Sequence, residues 1–177
     1  MAENAVIPRP HVHQLSEACA TLGASFQPVA KRLLEDQSRL LRFFKGNLPQ
    51  MDGQAGEVSL YLLAVIVRIF DQCGGKLGRV GPKEIDLATK KIAGATRDLL
   101  PWDTGFADRV RGVSGRAQPH ILDEALNALF EREEKKESEV DLDFEQAGRV
   151  FLMLWAATEA LDAAWRAPVS PDWAQAE

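Results

Sequence analysis

Residues that do chemistry are scarce in this sequence. It has two cysteines, Cys19 and Cys73, and three histidines, His11, His13 and His120. The cysteines lack the C-x-x-C spacing, and three histidines leave any zinc set short of ligands. Both cysteines lie among apolar neighbours, so they read as reduced core residues of a cytoplasmic protein. No G-x-x-x-x-G-K-[ST] loop is present to cradle phosphates, and no G-x-S-x-G elbow to expose a nucleophilic serine. The first ten residues lack the basic and apolar regions of a secretory signal. The longest apolar runs are eight residues, where a membrane span needs about 20. No family motif stands out. These absences point away from an enzyme, a metalloprotein, a cofactor carrier and a membrane protein.

What remains is the pattern of a helical domain. At 177 residues, 46% hydrophobic and 27% charged, the chain can form one soluble core. Apolar residues recur at three- and four-residue steps in six stretches. The expected helices are 12–22, 26–45, 54–73, 82–99, 120–132 and 143–166. Gly23, Gly46-Asn47-Leu48-Pro49, Gly74-Gly75 and Leu100-Pro101 punctuate them. Asp143, with Gln146 three residues on, has capping-box spacing. Asp86 and Lys90 can pair across one helical turn. No strand pattern or repeat is evident.

Two stretches are apolar on every side, Leu60–Val67 and Val150–Ala157. A helix with no polar stripe is buried all round. The expected fold is therefore all-α, a single compact bundle of about six helices around two buried ones, about 54–73 and 143–166. Residues 1–9 and 168–177, with their prolines, are expected to be flexible. The eighteen residues 101–118 are long for a connection and predict either a functional loop or a short helix capped by Asp103 and running to Arg111.

Charge is segregated along the chain. Residues 76–116 hold nine basic and five acidic residues, whereas 131–145 hold eight acidic and three basic. The sequence thus predicts a non-catalytic interaction or regulatory module, homodimeric or bound to another protein, with a basic face over 76–116. The candidate partner-binding residues are Arg79, Lys83, Lys90, Trp102, Arg109, Arg111 and Arg116. One alternative is a nucleic-acid-binding regulator using the basic helix 82–99. The overall charge of −5 argues against it. A further alternative is a metal- or anion-binding helical protein, through His120, Asp123 and Glu124 or the 101–118 loop. The chain has no Glu-x-x-His unit of the di-iron kind, and acids in a first helical turn suit the helix dipole. The His11-x-His13 pair and Asp141-x-Asp143-x-Glu145 lack the further ligands a metal would need.

Overall fold

The computed structural model describes residues 3–48, 53–131 and 142–175. Eight α-helical segments occur among them: α1 Arg9–Leu22, α2 Phe26–Asp36, α3 Ser38–Asn47, α4 Gly53–Gln72, α5 Pro82–Leu99, α6 Phe106–Arg111, α7 Pro119–Phe130 and α8 Phe144–Ala164. The fold is all-α. Four helices, α4, α5, α7 and α8, fall within two residues of the ranges their periodicity predicts.

The two buried helices are α4 and α8. Leu63–Val67 in α4 are all buried, as are Val150, Phe151 and Leu154–Thr158 in α8. Burial is less complete than the apolar runs imply, because Tyr61 is exposed and Leu60, Leu62, Leu152 and Met153 are half-buried. Helix α8 is the hub and packs most extensively on α5, then on α4 and α7. One hydrophobic cluster takes side chains from all eight helices. Helix α4 is long and apolar enough to cross a membrane, but 56% of the relevant window is buried within the chain, which marks it as a core helix.

The expected helix 26–45 is two helices. Its apolar stripe, Leu33, Leu40 and Phe44, runs through the junction, yet Gln37 sits at φ −107° and ψ 53°. A tertiary bond explains the break. The buried Gln37 side chain donates from Nε2 to Gly78 O and accepts at Oε1 from Val80 N, each at 2.9 Å. Local helix propensity yields to that clamp.

A second clamp centres on Gln118. It is buried with a left-handed backbone, φ 49° and ψ 62°. Its Nε2 donates to Ala5 O and its Oε1 accepts from Ile7 N, both at 2.9 Å. The same Nε2 also donates to Asp162 Oδ1 at 3.0 Å. Burial raises the Asp162 carboxyl above its ordinary range, and the Gln118 bond opposes that shift. Asn4 adds a third clamp, donating to Asp162 O and Trp165 O and accepting from Ala167 N.

The segment expected to be a loose arm is therefore tied down, and Ile7 is fully buried. The C-terminal stretch is anchored too. Trp173 is buried, donates to Cys73 O at 2.8 Å, and stacks on His11 and Trp165. The chain also forms one small antiparallel pair that the sequence pattern does not reveal, β1 Lys76–Leu77 against β2 Trp165–Arg166. Gly75 makes that approach possible. It lies at φ +69°, and a side-chain carbon there would collide with the Arg166 carbonyl.

Candidate functional site

The loop 101–118 contains α6 and is closed by its own arginines. Arg109 donates to Leu99 O at 2.8 Å, to Pro101 O at 2.6 Å and to Asp103 Oδ1 at 2.6 Å. The guanidinium in turn holds the Asp103 carboxyl below its ordinary range. Arg111 pairs with Glu131 at 2.8 Å and Asp108 at 3.2 Å and donates to Asn127. The Arg116 side chain, only 8% exposed, pairs with Asp123 at 3.0 Å. Three of the seven candidate partner-binding residues thus have their guanidinium groups engaged within the chain.

Trp102 is also turned inward and is half-buried. It packs on Phe106 with ring centroids 5.3 Å apart and lies under Arg149, whose guanidinium carbon is 5.7 Å from the ring centre. It covers Gly148 of α8 so closely that a methyl group there would overlap the six-membered ring. The ring roofs the core where α8 has no side chain. These contacts give it a packing role in this chain.

The remaining three candidates, Arg79, Lys83 and Lys90, are exposed. None forms an ion pair among the described residues, and the expected Asp86–Lys90 pair is not formed. Lys83 and Lys90 lie seven residues apart on α5, two turns along one face. Helix α3 carries three cations and no acid: Arg39, Arg42 and Lys45, all exposed. Their three-residue spacing spreads them over roughly 9 Å of helix axis, about one Debye length at physiological salt.

An open groove of about 230 Å³ lies between α3 and the start of α5. Arg39, Arg42 and Phe43 line one side, and Pro82, Ile85 and Asp86 the other. The Gln37 clamp positions both walls, because it joins the residue before α3 to the link that leads into α5. In sequence, Arg39, Arg42 and Lys45 look like an ordinary wet helix face. Their lack of acids is visible there, but their place opposite α5 depends on a bond between residues about forty apart. A second, small apolar cleft of about 30 Å³ lies between α1, α4 and α7, with Ser16, Leu62 and Glu124 on its walls.

The candidates for metal and nucleophilic chemistry do not come together. His13 Nδ1 meets Glu124 Oε1 at 3.1 Å, while Asp123 is taken by Arg116. The inner nitrogens His11 Nε2 and His120 Nδ1 have no hydrogen-bond partner. Among the described residues no three His, Cys, Asp or Glu side chains converge as a metal would require. Asp141 lies outside the described residues. Both cysteines are free and buried. Burial raises the Cys19 thiol and pushes Cys73 up to about 12, so neither supplies a thiolate near neutral pH. Comparison with known proteins assigns no family, since no family model, no curated protein and no solved structure matches the chain.

Proposed function

We propose that this chain is a non-catalytic interaction or regulatory module that binds an acidic protein partner through the α3–α5 face. The observation that carries the reading is a set of exposed cations that form no ion pair among the described residues: Arg39 and Arg42, which line one open groove, with Arg79, Lys83 and Lys90 exposed on and before α5. Exposed ion pairs contribute roughly 0.2–1 kcal/mol each. A few such contacts give modest affinity, and complementary charge mainly raises the association rate and selects partners. That energy scale fits a transient regulatory contact. The buried, unpaired cysteines fit a cytoplasmic setting.

Self-association is part of the proposal, because the acidic stretch 131–145 gives a second copy of the chain the required charge. Light scattering coupled to size exclusion tests it, and a mass of 19.5 kDa at micromolar concentration rejects it. Partner binding is tested by reversing Arg39 and Arg42 to Glu. Binding of acidic ligands should fall at least tenfold while the thermal melt stays unchanged, since neither guanidinium is bonded within the described fold. A nucleic-acid reading draws on Lys83, Lys90, Lys91 and Arg97 of α5, all exposed, although Lys91 is paired with Glu159 at 2.9 Å. It requires retardation of a DNA or RNA duplex at 50 mM salt and a steep loss of affinity as salt rises.

A further inference from the structure

The groove between α3 and α5 is chemically uneven. Its apolar lining comes from Phe43, Pro82 and Ile85; the α3 side is cationic, from Arg39 and Arg42; the α5 side carries the Asp86 carboxylate. Phe43 and Ile85 are both half-buried and packed against the main core, so this lining is held by the core and open to solvent. At about 230 Å³ the space lies under the ~300–1,000 Å³ typical of small-molecule pockets. It suits one large side chain delivered by a longer ligand. The Gln37 clamp fixes both walls, so little ordering is needed when that side chain enters.

From this geometry we infer that the groove recognises an acidic segment of a partner protein by inserting one bulky aliphatic or aromatic side chain between Phe43 and Ile85, while carboxylates of the segment meet Arg39 and Arg42. The inference rests on the reading of this face as a site for acidic partners and adds the apolar anchor. Asp86 separates protein from nucleic acid as the occupant. A carboxylate on the groove wall opposes a continuous phosphate backbone, but it tolerates a peptide whose acids lie on the α3 side. Desolvated apolar anchors dominate the energy of small interfaces, and charges around them direct the approach.

The test is a random peptide library displayed on phage, selected against the full chain and counter-selected against the Arg39→Glu/Arg42→Glu variant. The expected consensus is acidic with one fixed large apolar position. By fluorescence anisotropy, replacing that position with Ala should weaken the consensus peptide at least tenfold. Ile85→Ala should do the same to the protein while leaving a cooperative, somewhat lowered melt, and Asp86→Lys should strengthen binding several-fold. An acidic consensus indifferent to the apolar position overturns the anchor and leaves the acidic-partner reading standing. Enrichment that ignores Arg39 and Arg42, or no enrichment, overturns both. Displacement of the peptide by a DNA duplex, with a steep salt dependence, makes nucleic acid the occupant. A mass above 19.5 kDa that drops to that value in the Arg39→Glu/Arg42→Glu variant makes the occupant a second copy.

Discussion

Replacing Gln37 with Leu asks whether the break between α2 and α3 is imposed by a tertiary bond. The change preserves bulk and removes both polar ends of the clamp. Val80 is 3% exposed, so its N–H would lose its acceptor in a place water reaches poorly. An orphaned buried donor costs about 1–3 kcal/mol. Gly78 is only half-buried and its carbonyl can turn to solvent, which adds up to about 1 kcal/mol. The expected loss is about 1–4 kcal/mol. With a urea dependence of roughly 2 kcal/mol/M, the unfolding midpoint should fall by about 0.5–2 M without a change in slope. Amide exchange at Val80 should accelerate more than at residues in the centre of α8. Acidic-ligand binding should weaken as well, because the same clamp spaces the groove walls. The opposing argument is that Leu is a good helix former and would let α2 and α3 join. A Gln37→Leu variant as stable as the native protein, or more stable, would refute the clamp as the cause of the break.

Three further outcomes are expected. Gly148→Ala should destabilise by about 1–3 kcal/mol because the methyl meets the Trp102 ring, and a chemical melt of Gly148→Ala with Trp102→Leu should recover part of the loss. Arg116→Met should cost about 1–3 kcal/mol by stranding Asp123, whereas Lys83→Met should stay within about 0.5 kcal/mol; matched thermal melts separate the two kinds of cation. His11 is held below 6.5 by desolvation, so the unfolded chain binds the proton more readily, and stability is lost as pH falls through 6.5 and below. His11→Phe, which keeps a ring against Trp173, should flatten that part of the acid dependence between pH 7 and 5; an unchanged difference from the native protein across that range would remove His11 as the source.

The sequence reveals those parts of the fold that neighbouring residues decide. Helix α5 begins at Pro82 and ends at Leu99 because a proline opens it and Leu100-Pro101 closes it. Asp143 accepts from Gln146 N as its spacing predicts. The misses that shape the fold are long-range. Gln37 and Gln118 carry no local mark of their roles, since one lies in a continuous apolar stripe and the other just before a proline. Their partners are 41 to 113 residues away. The same applies to charge. Counting along the chain gives 76–116 its basic balance, but the fold engages Arg109, Arg111 and Arg116 with groups of the same chain and sets Arg39 and Arg42 across a groove from the start of α5. A linear tally cannot separate a cation that closes a loop from one that awaits a ligand.

The amide clamps have one more consequence. Gln37 and Gln118 each bond the carbonyl of one residue and the N–H of the residue two further on, in the same order. That is the pairing a neighbouring β-strand would offer. An extended stretch left without it is a sheet edge, open to the extended segments of other molecules. By supplying a single side chain where a strand would otherwise stand, each glutamine satisfies one carbonyl and one N–H of its stretch, and this helical protein gains two strand-like pairings without a second strand.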